Sequence, residues 1–359
     1  MRSWAVKPLF SAVRFRCVED ISLWHTAVDW TPGLETVVRM VTFSVSGGGH
    51  AVQYLASFPN MKELHLCEMF RCSIADISQL VGACSRLRAL SFKGVYSVKS
   101  ASDSLLTPQL NLSALKDLTF LHCVSQDKIF PLELLGKSQP NCLRSLTFVG
   151  QVHYSLLGIE KLLWFAAPSL VNLTMYATSR VESEIPQVVE MFNHLPAFPV
   201  LNTLSIVLDP EQGVVPNDHH AEQLINALDS APHLTALILR ITIFPSRYFR
   251  DILRLAFPLC SSGSMKSFLT RRFPLIQRIV FHFCLQTQPP VHLPCGYRRW
   301  MEHRLRQRLE EAGEDVTEYL EMEWFDDEFE LDPVVYTQTH EKAPWEVETG
   351  FSNYDSYEW

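Results

Sequence analysis

The chain has 359 residues, 47% of them hydrophobic, and a formal net charge of -8. That much apolar chain predicts a substantial core, yet no apolar run reaches the ~18 residues of a membrane span, and the N-terminus lacks the basic-then-apolar layout of a signal peptide. The 9 cysteines are scattered and form no Cys-x-x-Cys pair, which predicts reduced, mostly buried thiols in a cytoplasmic or nuclear protein and argues against a disulfide framework or a zinc site.

In chain order, residues 1–15 have an apolar rhythm that suits a short helix running into a strand. A core of the form apolar-x-x-apolar-x-apolar then recurs, beginning at residues 38, 61, 87, 115, 143, 170, 201, 234 and 276. Leu143-x-x-Leu146-x-Phe148 is its clearest copy. A period in the twenties with this core is the signature of leucine-rich repeats. Within each core the side chains alternate faces, so Leu146 and Phe148 face inward while Thr147 and Val149 face outward. Three residues past the core this repeat type wants a side chain that hydrogen-bonds the turning backbone; Cys123 and Cys284 are the best matches.

Between cores lie segments of helical period: Ile74, Ile77, Leu80 and Val81; Leu156, Ile159, Leu162 and Leu163; and Val188, Val189, Phe192 and Leu195. Residues 218–228 and 248–257 are further helix candidates. Pro59, Pro140, Pro168, Pro199, Pro232 and Pro274 precede strand cores, where a proline stops the helix and starts extended chain. The predicted fold class is therefore α/β, a solenoid of about eight or nine irregular leucine-rich repeats over 16–288, with parallel strands on the concave face and helices on the convex face.

Other motifs reduce to plain structure. Gly47-Gly48-Gly49-His50 lacks the Lys-Ser/Thr of a phosphate loop and reads as a turn. Asp209, Asp218, His219 and His220 read as a solvated loop with Asp218 as a helix cap, not a metal site. No Gly-x-Ser-x-Gly elbow occurs, and no catalytic residue, cofactor or metal is expected. Residues 296–312 read as a basic amphipathic helix. Residues 313–359 form an acidic, partly disordered tail, and residues 310–359 hold seventeen Asp/Glu against Lys342 alone. Its apolar members between Val316 and Tyr336 suit a cap on the end of the solenoid. The acidic tail would compete with any nucleic acid for the basic helix, so nucleic acid is not expected as a partner.

Arg2, Ser3, Trp4, Leu9, Phe10 and Val13, in that order, resemble the last part of an F-box as found in fungal F-box proteins with leucine-rich repeats; only the C-terminal end of the F-box is present. The resemblance implies the substrate-receptor part of a cullin-RING ubiquitin ligase. Trp4, Leu9 and Phe10 would then lie toward a Skp-type adaptor, with a cullin beyond it. The partner is then a protein substrate bound on the concave face. By strand alternation the candidates there are His65, Lys93, Thr119, Thr147, Thr174, Tyr176, Ser205, Arg240 and His282. The alternative is a leucine-rich-repeat scaffold unrelated to ubiquitination, in which Trp4 and Phe10 only cap the first repeat.

Overall fold

A computed structural model describes residues 10–44, 58–72, 74–82, 84, 86–97, 112–121, 123–125, 141–149, 156–176, 196–208, 231–243, 273–285, 299, 303, 306–307 and 320–325. The helix candidates at 188–195, 218–228 and 248–257, and the Gly47 and Asp218 loops, lie outside these residues.

The protein is α/β, organised on one parallel sheet of eleven strands. In chain order these are β1 (Ala12–Phe15), β2 (Met40–Phe43), β3 (Glu63–Cys67), β5 (Ala89–Lys93), β7 (Asp117–Leu121), β9 (Ser145–Val149), β10 (Asn172–Tyr176), β11 (Thr203–Leu208), β12 (Ala236–Ile243), β13 (Arg278–Leu285) and β14 (Leu320–Phe325). Each pairs with the next of this set, so spatial order follows chain order. A second parallel sheet joins β4 (Phe70–Cys72), β6 (Tyr96–Ser97) and β8 (Val124–Ser125), each of which follows a strand of the first sheet after a two-residue turn.

Register explains the core. Leu64, Leu90, Leu118, Leu146, Leu173, Leu204 and Leu237 are consecutive lateral partners, and each is at most 1% exposed. Two residues on, Phe43, Leu66, Phe92, Phe120, Phe148, Met175 and Ile206 form a second row. Phe92 and Phe120 stack there with centroids 5.2 Å apart. A third buried row, from Val38 through Met61, Leu87, Leu115, Leu143, Leu170 and Leu201 to Leu234, leads into the strands. Each such side chain contributes about 1.5–3 kcal/mol relative to exposure.

One repeated position went unread in the sequence. Three residues before the third row stand Phe58, Cys84, Leu112, Ala167, Phe198, Ala231 and Phe273, all buried. The carbonyls of Phe58, Leu112, Phe198, Ala231 and Phe273 accept the N–H three residues on, from Met61, Leu115, Leu201, Leu234 and Ile276. Pro59, Pro199, Pro232 and Pro274 are therefore second residues of hydrogen-bonded turns, where their fixed φ is already correct. They shape the turn as well as stopping what precedes it.

Helices α1 (Val18–Trp30), α2 (Ile74–Gly82) and α3 (Leu156–Ala166) connect strands. Ile77, Leu80 and Val81 of α2 are buried, as are Ile159, Leu162 and Leu163 of α3, on the faces their spacing predicts. Helix α1 was not anticipated. Its Trp24 packs at 6.3 Å from Phe15 and 5.5 Å from Phe58, closing the first end of the core with aromatic rings. Arg16 donates its N–H to the Asp20 carboxylate in the first turn.

The sheet runs beyond the expected 16–288 at both ends. At the front, β1 lies within residues 1–15, where a strand was expected to follow a short helix. At the back, β14 lies in the stretch read as acidic tail. Leu320-Glu321-Met322-Glu323-Trp324-Phe325 alternates apolar and acidic residues with the period of a strand, a pattern hidden by the charge count around it. Of the predicted basic helix, Arg299, His303, Arg306 and Gln307 are described, and all are helical. No helix among the described residues is long and apolar enough to cross a membrane.

Candidate recognition face

The side chains between the two buried rows point to the sheet's open face. In register they run Arg14, Thr42, His65, Ser91, Thr119, Thr147, Thr174, Ser205, Ile238 and Val280. A parallel row two residues on carries Cys67, Lys93, Leu121 and Val149 and later Val207, Arg240 and His282. Neighbouring members are ~4.8 Å apart, the inter-strand spacing.

The first half of this face is accessible. Arg14 and Lys93 are exposed; Thr42, His65, Ser91, Thr119 and Thr147 are half-buried. It offers hydroxyls, an imidazole and two cations, beside the half-buried Leu121 and Val149 and the exposed carboxylates of Glu63 and Asp117, which alternation places on the same face.

The second half is uneven: Ile238 and Arg240 are half-buried, but several of their neighbours are buried. Thr174 is 9% exposed, Ser205 2% and Val280 2%. This corrects the expectation that Thr174 and Ser205 present hydroxyls to a partner. Alternation puts them on the open face, yet both side chains are buried there. Apolar neighbours mark the change: Ile238 and Val280 occupy positions that hold Thr and Ser in earlier strands. Among the described residues, Ser205 Oγ and Arg240 Nε are buried without a hydrogen-bond partner. The side chains of Tyr176 and His282 lie outside the described residues; their backbones are level with Val207 and with Arg240. Register brings Glu323 level with His282.

Trp4 and Leu9, assigned to the adaptor side, lie outside the described residues. Phe10 is half-buried, its ring 6.4 Å from that of Trp24, so it packs on the chain's own aromatic end.

Cys84 and Cys123 are structural, whereas Cys17 and Cys142 are exposed, against the expectation of mostly buried thiols. Cys123 donates to the carbonyls of Phe92 and Leu121, at 3.4 and 3.5 Å, the turn-binding role its position predicts. Cys84 donates to the Leu80 carbonyl at 3.2 Å. Burial pushes the Cys84 thiol up to about 12 and Cys123 up to about 11, so both are protonated and poorly nucleophilic at neutral pH. Burial also raises Cys67. No group of three or more His, Cys, Asp or Glu side chains suited to a metal ion occurs among the described residues. What the open face offers is hydrogen bonds and charge of both signs.

No protein-family model matches this chain, and no curated protein matches it.

Proposed function

We propose that the chain is a leucine-rich-repeat solenoid whose open, concave face recognises a protein, as the substrate-receptor part of an F-box protein in a cullin-RING ubiquitin ligase. The observation that carries the recognition reading is the accessible row Thr42–His65–Ser91–Thr119–Thr147, one polar side chain per strand at fixed spacing. A rigid backbone bearing an array of half-exposed donors is how repeat proteins build extended binding surfaces. The ligase part rests on the F-box-like residues 1–15.

The test is recovery of the tagged chain from a eukaryotic extract with mass spectrometry of what accompanies it, beside a Thr119→Arg/Thr147→Arg variant. Recovery of a Skp-type adaptor and a cullin with both proteins, and of further proteins only with the unaltered chain, is the expected result. Further proteins without the adaptor select a second reading, a scaffold unrelated to ubiquitination. One observation favours that reading: the half-buried Phe10 ring lies against that of Trp24.

A further inference from the structure

The residue that enters each strand carries a second pattern. Before β2, β3, β5, β7 and β9 stand Arg39, Lys62, Arg88, Lys116 and Arg144. They are lateral neighbours on one backbone ladder. Lys62 donates its N–H to the Arg39 carbonyl at 2.8 Å, and Arg88 to Lys62, Lys116 to Arg88 and Arg144 to Lys116 at 2.7 Å each. The next residue of each strand donates to the same carbonyl at 2.9–3.0 Å. The rungs are thus fixed at the inter-strand spacing.

Arg39, Lys62, Arg88 and Arg144 are exposed and Lys116 is half-buried. Lysine and arginine make up 31 of 359 residues, fewer than one in ten, so five consecutive rungs are not a product of composition. Like charges held side by side destabilise a sheet, so the ladder carries a cost that an anion would relieve. Arg39 spends part of its guanidinium on the carbonyls of Thr36, Val38 and Asn60. No ion pair joins the other four to a carboxylate among the described residues; Glu63 and Asp117, which follow Lys62 and Lys116, lower the strip's net charge without removing its sign. The ladder then stops. The next rungs are Val171, Asn202, Thr235 and Gln277, and there the Thr235 hydroxyl donates to the Asn202 side chain.

We infer that this ladder is a docking strip for an acidic amphipathic helix of a protein partner, one that shows a carboxylate once per turn. Rungs ~4.8 Å apart meet turns ~5.4 Å apart, a mismatch that grows to only about 2.4 Å over four steps and is absorbed by long side chains. An extended peptide shows same-side carboxylates about 6.7 Å apart and slips by about 7.6 Å over the same length. Nucleic acid is the weaker fit: the row directly beside the ladder holds Met40, Glu63, Ala89, Asp117 and Ser145, and the next open-face row Thr42, His65, Ser91, Thr119 and Thr147, with two carboxylates to repel phosphates and no Phe, Tyr or Trp ring on which bases would stack.

This names the kind of partner and rests on the reading of the chain as a protein recogniser, though not on its link to ubiquitin. The test is fluorescence anisotropy of the full chain with a labelled twenty-residue helical peptide bearing Glu once per turn. Its companions are a scrambled peptide of the same composition and a single-stranded RNA of equal charge. The helix binds best, its affinity falls with salt, and Arg88→Glu/Lys116→Glu weakens it at least tenfold, while Lys161→Glu on the exposed side of α3 leaves it unchanged. Unaltered melting of the double variant shows that it is folded. Equal binding by the double variant, tighter binding of the RNA or the scramble, or no binding by the unaltered chain overturns the proposal. Binding that emerges only after the acids at 326, 327, 328, 330 and 332 are neutralised also overturns it, and identifies this chain's own acidic segment as the occupant. Peptide binding without recovery of the adaptor leaves the ladder standing and removes the ligase reading.

Discussion

Two residues show how narrow the local requirements are. Gly94 closes the turn between β5 and β6 at φ +61°, where a Cβ would meet the Glu68 backbone at 3.8 Å, an ordinary contact. The cost of Gly94→Ala is therefore backbone strain, about 1–2 kcal/mol, and its urea midpoint should fall with the slope unchanged. Cys84 gives a pH prediction. Its thiol rises from 9 when unfolded to about 12 when folded. A raised value means its contribution is complete below pH 9 and is lost as the pH climbs from 9 toward 12. Ellman's reagent at pH 8 should leave Cys84 and Cys123 unmodified in the native chain and modify both in urea. The position of Cys123 was legible from the repeat. The burial of Ser205 was not, because alternation reports which face a residue takes and not what lies over that face.

At the scale of the element, strand and turn were read with different success. The strand cores were visible because two apolar positions per strand with period two leave few other folds open. Their turns were seen only through their prolines. The buried residue three before each third-row position varies among Phe, Cys, Leu and Ala, so no single letter repeats. Helix α1 escaped for a related reason: Val18, Leu23 and Trp30 are apolar but exposed, which blurs the stripe that Ile21 and Trp24 bury. Phe120→Ala removes a ring stacked on Phe92 and set 6.3 Å from Phe148. It should cost about 3–5 kcal/mol, read from denaturant unfolding. Pro199→Ala and Pro232→Ala free a turn residue only in the unfolded chain, and each should cost about 0.4–1 kcal/mol. Separate units make the two costs add.

For the whole molecule, edges decide behaviour. The front of the sheet is sealed by β1 and the rings of α1. The back is sealed by β14, which covers the unpaired groups of the eight-residue β13. A chain ending at residue 325 should keep the oligomeric state of the full chain in size-exclusion chromatography. One ending at 319 bares Arg-Ile-Val-Phe-His-Phe-Cys-Leu as an edge strand and should aggregate. The repeat predicted the parallel stack itself. Of the two added strands, β1 matches the strand expected at the end of residues 1–15, whereas β14 was hidden by the charge around it.

The unbroken register has a last consequence, for how such a chain changes length. From β2 to β13 each strand of the eleven-stranded sheet enters at the same level and bonds its predecessor through the same backbone atoms. Duplicating one unit, or losing one, leaves both flanking seams intact. A change among the units that enter at Arg39 to Arg144 would lengthen or shorten the open face and the basic ladder together by one tick, as on a ruler, so the footprint of a partner could be retuned in whole steps without redesigning any single unit.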